Sequence, residues 1–362
     1  MNCQELQQDI ASYKVQVKYI QQLLEQIEQT NKKPDNCHEL FQQAQVVSDE
    51  LLTKHLSAFS EVYPQLFGFV GGEYGEPIYS FKNDIKAIAQ ISEGQYLVGG
   101  DKGETRILTI DNNGQARYSE NIEGFNGYII EAIAQISDHQ FLVGGGYHGE
   151  TKILTIDNNG QARYSENIEG FHSGIVAIVK TPDNKFLVIG EGSKNYQSFS
   201  ETKILTIDSD GRASYGDNIE GFDETRFSAS YLSGNKFLVA GGYFHGKAQI
   251  LTIDSNGQSY YGDNINGFNP GIHSTFKISE GQCLVGGNEG GTKILTIDNS
   301  GQVHYSENIK GLLGSITAIA QISDHQFLVG CSHGTTATLT LTAAKPSLEH
   351  LKQNLDKLVE EP

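Results

Sequence analysis

Tryptophan is absent from this chain, methionine occurs once, and the four cysteines at Cys3, Cys37, Cys283 and Cys331 share no CxxC spacing. Without paired thiols neither a zinc site nor a disulfide framework is indicated, and a reducing, cytoplasmic setting is expected. Long apolar runs are missing too, since no stretch reaches the roughly 18 residues of a membrane-spanning helix. The opening MNCQELQQDI has neither the basic nor the apolar region of a signal peptide. Clustered lysine and arginine are also lacking, and 44 acidic residues against 26 basic give a net charge of −18. That balance disfavours nucleic acid or anionic membrane as the main partner, because both need a basic patch.

Catalytic motifs are scarce as well. Gly144 to Gly149, GGGYHG, formally matches GxGxxG after a strand, but another strand follows it, so the helix N-terminus of a nucleotide site is missing. Turns of the type Asp111-Asn112-Asn113-Gly114 open like a calcium loop, but the twelfth position of such a loop, where it needs a glutamate, is Ile122 here. His148, His245 and His333 each precede a glycine at corresponding places in different repeats, too far apart to share a metal. No nucleophile elbow, HExxH or paired-carboxylate motif is present. No catalytic residue, metal or cofactor is expected.

What the chain does have is repetition. Thr105 to Phe125, TRILTIDNNGQARYSENIEGF, returns at Thr151 to Phe171 with one change, Arg106 to Lys152. Four short patterns recur in order between Pro77 and Thr342: AIAQIS first at Ala87, LVGG at Leu97, ILTID at Ile107 and ARYSENI at Ala116. Counterparts of AIAQIS fall at Ala132, Ala177, Ala229, Thr275 and Ala318, and successive LVGG copies are 45, 45, 51, 46 and 44 residues apart. Four short strands in such a period predict a propeller blade. The first three patterns occur six times, but ARYSENI only five. EPIYSF at residues 76–81, whose Tyr79-Ser80 echoes Tyr118-Ser119, stands where the sixth copy belongs. An all-β six-bladed propeller of four-stranded blades is therefore predicted over 67–342, with residues 76–81 completing the last blade. Closure of this kind removes open sheet edges, and it places Glu76 near Thr342.

Residues 1–66 and 343–362 read as a helical appendage. Leu6, Ile10, Tyr13, Val17, Ile20, Leu24 and Ile27 alternate by four and three, an a/d seam over three heptads. Pro34 breaks that helix, and Asn36 with Glu39 forms a capping box for a second one. Leu348, Leu351, Leu355 and Leu358 give a short C-terminal helix expected to pack on the N-terminal helices. The seam either packs within the hairpin or pairs two copies as a homodimer.

Gly311 to Leu341, GLLGSITAIAQISDHQFLVGCSHGTTATLTL, resembles a WD40 repeat, and the resemblance extends over Pro77 to Thr342. Gly-Gly pairs such as Gly99-Gly100 and Gly144-Gly145 are kelch-like. The family's GH and WD dipeptides read here as Gly124-Phe125 and Ile110-Asp111, so its tryptophan-centred hydrogen-bond network cannot form, and burial of these phenylalanines is expected to lock the blades instead. Repeated blades with variable loops point to a noncatalytic scaffold that binds a protein partner through the propeller's loop face, with the helices for self-association or tethering. The residues expected on that face are Tyr147, His148, Tyr196, Tyr243, Phe244, His245, Asn288, His333, His172 and Arg226. The strand-four-to-one loops are expected to contribute His273 as well. Variable aromatic, histidine and asparagine side chains on loops suit recognition. The alternative is a lectin-like propeller with several equivalent sites, against which the lack of tryptophan, the usual sugar-stacking residue, counts.

Overall fold

The computed structural model describes residues 68–344 apart from 80, 112, 126–128, 158, 182, 195–196, 220–226, 243–245, 255–257, 270 and 299–300. The helices expected over 1–66, their seam from Leu6 to Ile27, and the C-terminal helix beyond residue 344 lie outside the described residues. The rest is a six-bladed propeller. Blade one shows the plan: Ile85–Ser92, Gln95–Gly100, Thr105–Ile110 and Ala116–Tyr118 form one antiparallel sheet, from the axis outwards. Blades two to five start with Ile130–Ser137, Gly174–Lys180, Phe227–Ser233 and Ile272–Ser279, and blade six with Ile316–Ser323. These six innermost strands touch in cyclic order, the last against the first, so the ring is closed.

Closure differs from the expectation by five residues. The outer strand of blade six is Phe69–Tyr74, paired with Thr335–Ala343, and Ile78–Tyr79 adds only a two-residue ladder to that same strand. Tyr74 faces Leu339 as Tyr118 faces Leu108 and Tyr164 faces Leu154. Gly71, not Glu76, is the partner of Thr342. Tyr79 is 75% exposed, whereas Phe81 is buried and stacks 5.5 Å from Tyr118, as Phe125 does 5.7 Å from Tyr164. EPIYSF is thus the counterpart of NIEGF, the linker into the next blade.

Hydrogen bonds explain why the 21-residue stretch recurs. Asp111 Oδ1 accepts from the amides of Asn113 and Gln115, both at 2.9 Å, and so closes the turn between the third and fourth strands. Ser119 Oγ accepts the Ile107 amide and Asn121 Oδ1 the Thr105 amide, tying the fourth strand and its exit to the third. Between blades, the Tyr164 hydroxyl lies 2.7 Å from Thr105 Oγ1 and the Tyr215 hydroxyl 2.7 Å from Thr151 Oγ1. Tyr74 and Thr292 make the same contact at 2.8 Å. Burial pushes these phenols up, so they remain protonated and able to donate.

One joint lacks the threonine itself. The threonine's place in blade four is taken by Ala248, which faces Ala240 as Thr105 faces Gly99, and the Tyr305 hydroxyl of blade five is buried without a hydrogen-bond partner. Ala248→Thr should supply the missing bond and stabilise the propeller by about 1 kcal/mol, a rise in melting temperature of about 2–4 °C. The gain should vanish when Tyr305→Phe is added; a gain that survives would mean that the hydroxyl pair is not its cause.

Packing between blades depends on glycine at two positions of the second strand. A Cβ on Gly99 would sit 2.5 Å from Ile130 of the next blade, and one on Gly144 or Gly330 would sit 2.7 Å from Ile175 or Ile85. Each apolar cluster is accordingly shared by two neighbouring blades, as with Leu97 of blade one and Phe141 of blade two. The second glycine receives the linker phenylalanine: Gly190 and Gly287 would each place a Cβ within 2.5 Å of the Phe171 or Phe268 ring.

Candidate functional site

The loops joining strands two and three share one face with those entering each blade. At the axis on that face is a cavity of about 660 Å³ lined by residues from blades one, two, three, five and six. Its wall is set by a backbone irregularity. In blade one Ile85 pairs with Gly100 and Ala87 with Gly99, so Lys86 is an extra residue, a β-bulge. The same shift isolates Glu131 in blade two, Val176 in blade three, His273 in blade five and Thr317 in blade six. Blade four has none there: Phe227 pairs with Gly241 and Ser228 with Ala240 in direct succession. All five bulged residues line the cavity, and no two are alike.

Polar contacts around the mouth link neighbouring loops. Asp84 lies 3.7 Å from the Lys86 ammonium and accepts the His333 amide at 2.7 Å. His273 Nε2 and Asn288 Oδ1 are 2.6 Å apart, an arrangement in which the ring N–H donates, and Ser315 Oγ donates to the same oxygen at 3.1 Å. Thr317 Oγ1 donates to the Ile85 carbonyl of the next blade. In blade three Glu201 accepts the amides of His172 and Ser173 at 2.9 and 3.0 Å and pairs with Lys203 at 2.7 Å. Burial raises its pKa, but the Lys203 ammonium and these donors outweigh that and hold the carboxyl below its usual value.

Three loop tips are strained. Lys102, Glu289 and His333 hold φ of 60°, 55° and 70° at matching places in blades one, five and six, each followed by a glycine of positive φ. A non-glycine residue there costs of order 1 kcal/mol, a burden found most often at functional sites. Gly334 is required because a Cβ would lie 2.0 Å from the Phe81 carbonyl.

Of the residues predicted from sequence, Tyr147 lines the cavity at 66% exposure and Asn288 lines it from the opposite side. His148, His172 and His333 are exposed on the same face but are not among the cavity's lining. Tyr196, Tyr243, Phe244, His245 and Arg226 lie outside the residues whose side chains are described. His273, assigned from sequence to an entry loop, belongs to the strand Ile272–Ser279. The fifth copy of AIAQIS starts at Ser274, paired with Gly286 as Ala87 is with Gly99, and not at Thr275. Sequence reasoning missed Lys86, Glu131, Val176 and Thr317. The available signal was the residue just before each repeat: AIAQISDHQFLVG is identical at Ala132 and Ala318, yet follows Glu131 in one case and Thr317 in the other.

Among the described residues no group of three or more histidine, cysteine, aspartate or glutamate side chains could hold a metal. No described helix is long and apolar enough to cross a membrane. Cys283 and Cys331 are buried, and burial pushes both thiols up to about 12, far from the range of a nucleophilic thiolate.

Six four-stranded blades, closed by an N-terminal strand and built from glycine-paired repeats, define a divergent WD40-like β-propeller. Among solved structures the chain is similar to the WD40 β-propeller domain of Doa1, with a TM-score of 0.53 and 12% identity over 76% of this chain and 99% of that one. At that identity the likeness is one of fold. No protein-family model and no curated protein matches the chain.

Proposed function

We propose that the protein is a noncatalytic scaffold whose loop face docks a protein partner at the mouth of the channel. The observation that carries this reading is the ring of unlike bulged residues on otherwise repeated strands. Blade bodies are nearly copies of one another, so they present the same groups many times; at the mouth Lys86, Glu131, Val176, His273 and Thr317 bring different chemistry to one place. A cavity with convergent polar groups is where a ligand is expected, and strained loop tips and the exposed Tyr147 extend it to the breadth a protein partner needs. A lectin-like propeller would repeat one set of groups on several blades, and the unlike ring favours a single site instead. The helical segments assigned to self-association or tethering play no part in this reading.

The test is a quantitative pull-down with the full chain, comparing wild type, Glu131→Ala with His273→Ala, and Arg163→Ala on an outer strand. At least one captured protein should fall tenfold or more with the mouth variant, a loss of about 1.4 kcal/mol, and stay unchanged with Arg163→Ala. If every captured protein survives the mouth substitutions, the mouth is not where the partner docks.

A further inference from the structure

Below the mouth the channel continues as a cavity of about 340 Å³ whose wall is unevenly divided. Blades one, two, three and six line it with the repeated alanine and isoleucine of the first strand, Ile88, Ile133, Ile178 and Ile319 among them. Blades four and five line it with hydroxyls. Ser228 Oγ accepts the Thr275 amide at 2.8 Å and lies 3.0 Å from Thr275 Oγ1, and Ser230 Oγ donates to Thr275 Oγ1 at 2.9 Å. Three hydroxyl hydrogens serve two bonds among these three groups, so one donor is left over.

Charge in the channel runs against that of the whole molecule. In a chain of net charge −18, the wall of this cavity carries Lys86, Lys180 and Lys277 against one carboxylate, Glu131. Lys180 and Lys277 stand at the far end, on the two blades that flank blade four. Each is held by a backbone carbonyl of the preceding blade, Lys180 by Ile136 at 2.9 Å and Lys277 by Leu232. Lys277 also pairs with Glu280 at 3.0 Å and lies 5.6 Å from the centre of the Tyr231 ring. A narrow passage with apolar walls and more ammonium groups than carboxylates in its lining focuses its field on whatever enters.

We propose that the lower channel binds an aliphatic carboxylate, its head at the Ser228–Ser230–Thr275 seam, with Lys180 and Lys277 in the same wall, and its tail along the isoleucines. The five bulged residues line both cavities, but Ser228, Ser230, Thr275, Lys180 and Lys277 line this one alone. An anion satisfies the spare hydroxyl donor and the lysines together, and an alkyl chain replaces water on the alanine and isoleucine wall. An ammonium head would meet lysines, and a neutral alcohol would forgo the charge.

Octanoate, octanol and octylammonium, titrated calorimetrically into the full chain, test the assignment. Octanoate should bind saturably and at least tenfold more tightly than either analogue. Lys180→Gln, an exposed position where folding is safe, should weaken octanoate severalfold, and Lys180→Gln with Lys277→Gln at least tenfold, each variant being checked for native circular dichroism. Thr275→Val should weaken octanoate and leave octanol unchanged. Equal binding of the three probes, no saturable octanoate binding at millimolar concentration, or wild-type affinity in Lys180→Gln would each overturn the proposal.

Discussion

Gly287→Cys should be among the most damaging small substitutions in the propeller, costing about 3 kcal/mol, at the upper end of overpacking penalties. A Cβ at this position would lie 2.3 Å from the Gly271 carbonyl oxygen and 2.5 Å from the Phe268 ring, and both neighbours are fixed between blades. Nature has made this exchange once in the same molecule. Blade six carries Cys331 where the others carry the second glycine, and there the linker residue is Leu312 in place of phenylalanine; both are buried. The larger side chain on the strand accompanies the smaller one on the linker. Adding Phe268→Leu to Gly287→Cys should therefore recover at least half of the loss, although Phe268→Leu alone removes buried volume and destabilises by about 1 kcal/mol or more. Denaturant melts of the two single variants and the double variant give the coupling directly. Additive losses would mean that ring and glycine do not fill one shared space.

The same pair shows what could be read from the string of residues and what could not. Glycine pairs, a 45-residue period and alternating strands are local patterns, and they led to six blades and to phenylalanines buried between them. The tyrosine–threonine contact replacing a tryptophan-centred network is not local: Tyr164 and Thr105 are 59 residues apart, and nothing in either repeat marks them as partners. Bulges are invisible for a different reason. The bulged strands have seven or eight residues and the unbulged strand of blade four has seven, so length does not mark the extra residue, which shows only in the hydrogen-bond register. Lys86, Glu131, Val176, His273 and Thr317 stood outside the repeats because variation at a repeat's border looks like drift until the pairing places all five around one cavity. The closing strand was displaced by five residues because FVGGEY shares little with ARYSENI beyond a tyrosine, while the following EPIYSF offers a second one. Only register decides between them, Tyr74 facing Leu339.

That closing strand carries the last large effect, through a residue that lies in another blade. The ring is completed without a covalent link between its first and last strands, so its entry point needs to be held. Gln282 of blade five does this: its Oε1 accepts the Phe69 amide at 2.7 Å, and its Nε2 donates to the Phe69 carbonyl at 3.0 Å and to Thr296 Oγ1 at 2.9 Å. One side chain thereby imitates a strand neighbour for the first residue of Phe69–Tyr74. Gln282→Ala leaves a buried amide and a buried carbonyl without partners, at about 1–3 kcal/mol for each group, so a loss near 3 kcal/mol is expected. Glutamate at this position should not rescue, because a carboxylate accepts from the amide but cannot donate to the carbonyl. Gln95 occupies the corresponding place in blade one, paired with Thr109 as Gln282 is with Thr296, but its side chain is exposed. Gln95→Ala should change stability by no more than about 0.5 kcal/mol. Hydrogen exchange makes the test specific to closure. In Gln282→Ala the amides of Phe69–Tyr74 should lose protection before those of blades one to three, since the outer strand of blade six would open first. Uniform loss of protection around the ring, or equal destabilisation by Gln95→Ala, would show that Gln282 serves its own blade and not the clasp.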